Sequence, residues 1–421
     1  MRNSTERITL VTLFCTARTG HFGMGAFVEN LIGELQTSNE LNLFRLSMDC
    51  DHVDEVRHSF EGGEEWLEIP RPENKLFLTG EDFVVQHVYA QRIVEIAFPF
   101  LDGKQRIVLL CNTVVHLEIC RLLKDMLSAK LVYVHHNFSW KSYVSTTYEN
   151  YNAVWVSGNR GYHPLAFQAT IYQQEIARLA DKVVTVTKQA ADFLVNTLSI
   201  EAEKVITIYN GVSIDSLKTG LNVLEARSKF HIDHKEKIIL FSGRLVKEKG
   251  VHYLVQAFHS VLKDLPDARL LIIGNGDYRE YLKAASNIWT KITFTGELPR
   301  SEVLALYQVA NLGVMPSLQE QCSISAIEMR LSNIPMVVSA VEGMDEVFVD
   351  DEDALKINYY LDENKMIYLL PEELSQKIIL LLTNESLARR LSENGKKKAL
   401  IDFDSRRMAD RYLEMFGSLN W

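Results

Sequence analysis

Three clusters of residues have the types and spacing to do chemistry. The richest runs Pro316-Ser317-Leu318-Gln319-Glu320, then Gln321-Cys322-Ser323-Ile324-Ser325-Ala326-Ile327-Glu328. A helix starting near Ser323 would aim backbone N–H groups at an anion. Glu320, in the loop before it, could accept hydrogen bonds from sugar hydroxyls, and Glu328 from a vicinal diol. The same acids also suit a helix that merely favours negative charge at its start. The second cluster is Ser242-Gly243-Arg244-Leu245-Val246-Lys247-Glu248-Lys249-Gly250. A guanidinium and an ammonium five residues apart could clamp a pyrophosphate, and two cations before a helix N-terminus oppose the helix dipole unless an anion arrives. Taken alone, they are equally a solvated charge cluster. The third cluster, Gly20-His21-Phe22-Gly23-Met24-Gly25, could bring backbone amides to a phosphate through Gly23 and Gly25, or simply form a tight turn. It has neither the dinucleotide-binding order nor the Lys-Ser/Thr of a P-loop.

The elements that must position these clusters alternate. Strands are expected at Ile8–Cys15, Ile107–Cys111, Leu131–His135, Lys182–Val186 and Val205–Ile208. The pattern restarts at Lys237–Phe241, Ala268–Ile273, Lys291–Phe294, Leu312–Val314 and Met336–Val338. Helical stretches lie between them, and the tail from about Pro371 reads as helical. This is an α/β chain of βαβ units with parallel sheets. A turn at Asn210-Gly211 divides it into two halves. All three clusters follow strands, where open parallel sheets bind ligands.

Composition narrows the function classes. The chain has 421 residues, 47% hydrophobic and 24% charged, with 45 Lys plus Arg against 55 Asp plus Glu, a formal charge of −10. Two large cores fit in that length, and the acidic balance argues against nucleic acid as a partner. Five scattered cysteines without a C-x-x-C read as reduced, cytoplasmic thiols. The apolar run Ile8–Ala17 is rich in Thr and β-branched residues and reads as a buried strand rather than a leader.

The three clusters, in this order, resemble the GT-B glycosyltransferases, specifically the large retaining glycosyltransferase family 4 (glycosyl transferases group 1). Asn210-Gly211-Val212, Leu271-Ile272-Ile273-Gly274-Asn275-Gly276, Phe294-Thr295-Gly296-Glu297-Leu298 and Leu306-Tyr307 add to the resemblance, which is dense over about 205–350 and thin before it. It implies two Rossmann-like domains facing a cleft. Residues 1–210 would form an acceptor-side domain completed by a crossover helix at 404–421, and 211–403 a nucleotide-sugar domain.

The resemblance also implies roles. Arg244 and Lys249 would neutralise the diphosphate of a UDP- or GDP-sugar, helped by backbone N–H groups at Ser323 and Ile324. Glu320 would hold the donor sugar and Glu328 the ribose, with Gly296 and Leu298 flanking the base. His136, at the end of a strand, would hydrogen-bond the donor sugar. The family works without a cofactor or metal. The D-x-D spacings used for metals elsewhere, at Asp49-Cys50-Asp51, Asp351-Glu352-Asp353 and Asp402-Phe403-Asp404, read as surface or turn acids. Where the family commonly has Gly-Phe-Gly after the first Glu, this chain has Gln321-Cys322-Ser323, so the sugar pocket must differ. Aromatics between Phe138 and Tyr172 suggest an acceptor region for a carbohydrate, lipid-linked or peptide acceptor, or a packed core. The expected enzyme is cytoplasmic, with peripheral contact at the inner face of the membrane left open. The alternatives are a catalytically silent sugar-nucleotide-binding subunit and a GT-B phosphorylase or epimerase.

Overall fold

The computed structural model describes residues 7–15, 23–72, 83–161, 163–218 and 222–421. The chain forms two compact units. The first comprises Met1–Trp140, Arg160–Tyr209 and Ser405–Trp421, and the second Lys141–Asn159 and Asn210–Asp404. These units differ from the expected division, 1–210 with 404–421 against 211–403, mainly at one segment. The segment Lys141–Asn159, expected in the first half, packs with the second unit: Ile367 N–H donates to the Ser145 carbonyl (2.8 Å), and the Thr146 hydroxyl donates to that of Lys365 (2.6 Å).

The first unit is built on an eight-stranded sheet of order β3-β4-β2-β1-β5-β6-β7-β8. Its strands are β1 (Ile8–Cys15), β2 (Leu41–Cys50), β3 (Arg57–Glu61), β4 (Glu64–Pro70), β5 (Ile107–Cys111), β6 (Lys130–His135), β7 (Lys182–Thr185) and β8 (Val205–Thr207). Among the described residues of this sheet, only the β3–β4 pair is antiparallel. Strands β2 to β4 and the helix Phe83–Leu101 were not expected from sequence. In β2 the reason is Arg45, which breaks the apolar pattern yet is buried. Its guanidinium lies 3.0 Å from Glu64 and 2.5 Å from Glu29, and 4.1 Å above the Trp66 ring. A buried charge needs such partners, and these come from β4 and from the helix Gly23–Leu35. The last helix, Ser405–Gly417, packs on that same helix, with the Ser405 hydroxyl 2.6 Å from Glu34.

The second unit holds a six-stranded, wholly parallel sheet of order β11-β10-β9-β12-β13-β14. Its strands are β9 (Lys237–Ser242), β10 (Ala268–Ile273), β11 (Ile292–Gly296), β12 (Leu312–Met315), β13 (Met336–Ser339) and β14 (Leu355–Ile357). Every residue of β12 and β13 is buried, as helices on both faces of a parallel sheet require. The hairpin β15 (Tyr359–Leu361) and β16 (Ile367–Leu369) stands apart. Both halves are Rossmann-like. Among the described residues, no helix is long and apolar enough to cross a membrane.

Two of the acids expected at the surface or in turns are buried, Asp353 within a turn and Asp49 within β2. Asp353 is buried against Arg330 (3.1 Å) and Lys398 (3.0 Å). Asp49 is buried and accepts from the Cys15 thiol (3.1 Å) and the Tyr89 hydroxyl (2.5 Å).

Candidate active site

From β9 the chain moves outward to β10 and β11, then returns to β12 on the other side of β9. Strand order reverses between β9 and β12, and such a reversal leaves a crevice beyond the carboxyl ends of the two strands. The loops leaving β9 and β12 carry Arg244, Lys249 and Glu320.

The two loops are tied together. Leu318 N–H donates to the Glu248 carbonyl at 2.7 Å. Gly250 has a left-handed φ of 65°, and a Cβ there would run into the Pro316 carbonyl oxygen. From the far side Gly343 N–H donates to the Glu320 carbonyl (3.1 Å), and a Cβ on Gly343 would collide with the Gln321 carbonyl. The Asn210 amide donates to the Cys322 carbonyl (2.8 Å), and the Ser339 hydroxyl to that of Ser317 (2.5 Å). The backbone that presents Glu320 is therefore held on several sides, which is what preorganisation requires.

On this frame the Lys249 ammonium pairs with the Glu320 carboxylate, both side chains largely buried. Arg244 is more exposed, its guanidinium 3.9 Å from Glu248 on the same loop. The two expected cations thus differ: one is locked to the carboxylate, the other faces outward. Ser323 caps the helix Ile324–Leu331, its hydroxyl accepting from Ala326 N–H (3.4 Å). At the other end of that helix, Arg330 reaches Asp353 and the Val347 carbonyl (3.0 Å). Ile324 opens the helix and is buried.

Glu328 is buried, and both its oxygens are engaged, one by Arg300 (2.7 Å) and the other by the Tyr307 hydroxyl (3.1 Å). Burial and the Glu328 charge push the Tyr307 phenol well above its usual pKa, so it stays protonated and donates. Glu328 is thus a carboxylate oriented by two side chains rather than an acid serving the helix dipole. Sequence reasoning missed Arg300, which no motif marked.

Gly296 ends β11 at a φ of 73°, and its carbonyl accepts from Gly274 N–H (2.9 Å). Tyr278 lies edge-on to Phe294, ring centres 5.8 Å apart, and donates to the Gly274 carbonyl (2.7 Å). Tyr278 is a second residue that sequence reasoning did not single out. Leu298 is half-buried just before the helix Arg300–Val309. A cavity of about 560 Å³ opens near the Glu320 loop, lined by Lys141, Tyr143, Glu248, Asp277, Tyr281 and Gln319. Burial raises the Cys322 thiol to about 12, so the unusual Gln-Cys-Ser turn holds an unionised thiol rather than a nucleophile.

In the first unit, strand order reverses between β1 and β5. Gly23 and Gly25 open the helix after β1, and Gly20 to Phe22 of their cluster lie outside the described residues. His136, just after β6, is half-buried, 3.0 Å from the Asn112 amide oxygen and edge-on to Phe27 of that helix (centroids 4.6 Å apart). Burial, with His135 beside it, pulls its pKa down to about 3, so the imidazole is neutral near pH 7. Of the expected acceptor aromatics, Phe138, Trp140, Tyr151 and Phe167 are buried in packing, whereas Tyr143 is exposed. Tyr162 lies outside the described residues.

Residues 222–398, which hold Arg244, Lys249, Glu320 and Glu328, match the family model described as glycosyl transferases group 1. That segment is a group 1 glycosyl transferase domain. An uncharacterized glycosyltransferase of Methanocaldococcus jannaschii is 33% identical over 172 residues, covering 39% of this chain and 44% of the relative. The chain spans about half the length of the curated relatives it matches. The fold around the group 1 domain is that of GT-B proteins. A sucrose-phosphate synthase from Thermosynechococcus elongatus aligns with a TM-score of 0.76 at 18% identity, covering 98% of this chain and 100% of that one. Anabaena HepE, solved with UDP and glucose, aligns with a TM-score of 0.71 at 14% identity, covering 98% and 100%.

Proposed function

We propose that this protein is a retaining glycosyltransferase that moves a sugar from a UDP- or GDP-sugar to an acceptor hydroxyl on a glycan, a lipid-linked glycan or a peptide. The observation that carries the reading is the Lys249–Glu320 pair at the β9/β12 reversal, within a group 1 domain. When a nucleotide sugar enters, Lys249 and Arg244 offset the charge that develops on the departing diphosphate. Ser323 and Ile324 N–H groups add to this at the start of their helix. Glu320 accepts from donor-sugar hydroxyls, and Glu328, held by Arg300 and Tyr307, accepts from the ribose diol. Gly296 and Leu298 flank the base, and Gly23 and Gly25 give backbone access at the start of the first unit's opening helix. His136 serves as a neutral hydrogen-bonding group and not as a nucleophile.

The bond between the sugar's anomeric carbon and the phosphate oxygen breaks as the acceptor oxygen bonds to the same face. The acceptor proton passes to the leaving phosphate. No protein nucleophile enters, and no metal is needed to hold the donor because cationic side chains do so. The cytoplasm supplies nucleotide sugars and keeps the five thiols reduced.

A thermal-shift panel of UDP-, GDP- and ADP-sugars in EDTA, followed by a nucleotide-release assay, tests this reading. Stabilisation by one donor, with metal-free release that grows when acceptor is added, is the expected result. Stabilisation without turnover on any acceptor panel would replace it with a sugar-nucleotide-binding subunit.

A further inference from the structure

The sequence Asp49-Cys50-Asp51-His52 ends β2 in an irregular way. β2 and β4 run in parallel register up to Ser47 opposite Glu68, then shift so that Cys50 stands opposite Pro70. One extra residue is inserted on β2, and Asp49 takes a left-handed φ of 56° to accommodate it. Side chains alternate faces along a strand, so without this bulge Cys50 would point away from Glu68. The bulge turns it onto the Glu68 face, a known use of such insertions.

The result is a convergence of three ligand-type atoms from β2, the following turn and β4. Cys50 Sγ, a His52 ring nitrogen and a Glu68 carboxylate oxygen all lie within 4.8 Å of one another. Cys50 and Glu68 are buried, and His52 is half-exposed. His52 Nε2 faces Glu68 Oε1 at 2.6 Å, while its Nδ1 stands 3.9 Å from Asp51 Oδ1. The second Glu68 oxygen stands 2.8 Å from Arg57 Nε, an ion pair without hydrogen-bond alignment. Arg71 N–H fixes the Cys50 carbonyl at 2.8 Å.

The geometry points to a binding site for one zinc-class divalent cation, with Cys50, His52 and Glu68 as ligands and an open position on the solvent side of His52. Ligands of a tetrahedral zinc stand about 3.5 Å apart, within reach of small rotations from this arrangement. A thiolate, an imidazole and one carboxylate suit zinc rather than magnesium or calcium. The surroundings also fit: Asp51, 3.9 Å from the ring nitrogen that does not bind metal, can close to orient it, and Arg57 pairs with the other Glu68 oxygen. On binding, the cation replaces the proton of the Cys50 thiol, which passes to solvent, and takes the place of the His52–Glu68 hydrogen bond. The site belongs to the first unit's sheet and is independent of how a donor is held in the second.

Cobalt titration of the full chain, reduced with a non-chelating phosphine, tests this. One equivalent of Co²⁺ should produce a thiolate-to-cobalt charge-transfer band with tetrahedral d–d bands, and one equivalent of Zn²⁺ should abolish both. Cys50→Ser and His52→Ala should lose the bands. Cys15→Ser, which alters the thiol beside Asp49, should keep them. Zn²⁺ should raise the melting temperature of the parent but not of His52→Ala, which changes a half-exposed side chain and folds. Asp51→Asn should weaken binding about ten- to a hundred-fold. Absence of the bands in the parent, their survival in His52→Ala, or their loss in Cys15→Ser would overturn the assignment, and unchanged affinity in Asp51→Asn would overturn the orienting role of that residue.

Discussion

Lys249 and Glu320 stand 71 residues apart in the chain and meet as an ion pair where the sheet of the second unit reverses its strand order. Each neutralises the other in the absence of ligand, and an incoming anionic donor must re-partition that charge. Replacing Glu320 by Gln keeps the shape and removes the charge. Transfer should fall by about 10² or more, the scale of losing one preorganised polar group at a reacting centre, while the circular dichroism spectrum stays that of the parent. Wild-type turnover in Glu320→Gln would remove Glu320 from the site.

Glu328 offers a separate test, because its partners are known. Tyr307→Phe deletes one of the two groups that orient the carboxylate. Nucleotide affinity should drop about ten-fold, the worth of a hydrogen bond to a charged group. The same loss should follow from using a 2′-deoxynucleotide with the parent protein. Combining variant and deoxynucleotide should cost less than the sum. Additive losses in isothermal titration calorimetry would mean that Glu328 does not meet the ribose.

The glycines make opposite predictions. Gly250→Ala forces an L side chain into a left-handed backbone and against the Pro316 carbonyl, and should destabilise by about 2 kcal/mol or more. Gly33 sits exposed within the helix Gly23–Leu35, and a Cβ there meets nothing. Gly33→Ala should stabilise by about 0.5–1 kcal/mol. Urea midpoints of the two variants check both signs.

Acid should weaken the first unit through His135. Burial is the main cause that lowers its pKa to about 4, and neither ring nitrogen has a hydrogen-bond partner among the described residues. The unfolded chain protonates near pH 6.5. Between about pH 6.5 and 4 the unfolded state therefore holds a proton that the folded state lacks. Stability falls as pH falls, by about 1.4 kcal/mol per pH unit from this group. His136, lowered to about 3 by burial, adds a like slope, so unfolding free energies from pH 7.5 to 4.5 should show the sum of the two, reduced by one group's share in His135→Gln. An unchanged slope would assign the acid sensitivity elsewhere.

Much of the second unit was legible because its strands are short apolar runs followed by loops with marked residues. Ser242 to Gly250 and Pro316 to Glu328 fell where the sheet needs them. The contact between Lys249 and Glu320 was not legible, since nothing local says that two loops so far apart share one crevice. Arg300 and Tyr278 were missed for the same reason: each acts through a partner on another element, Glu328 and Phe294. In the first unit, β2 was hidden because Arg45 breaks the apolar pattern and is neutralised only by distant carboxylates. Assigning the segment from Lys141 to Asn159 to the first half followed chain order, whereas the Thr146 hydroxyl donates to the Lys365 carbonyl and the Ser145 carbonyl accepts from Ile367 N–H.

The helix Ser405–Gly417 completes the unit that the chain begins, resting on the helix Gly23–Leu35. A growing polypeptide therefore makes most of the first unit early and this last piece only after the long Asn210–Asp404 stretch of the second unit. Until Ser405 to Phe416 leave the ribosome, Phe27, whose ring lies 6.2 Å from that of Tyr412, lacks part of its cover. The second unit, with a long uninterrupted stretch of its own, has no such wait. Truncation near the carboxyl end should thus damage the amino-terminal unit first, and a stalled nascent chain should need a chaperone there rather than at the group 1 domain.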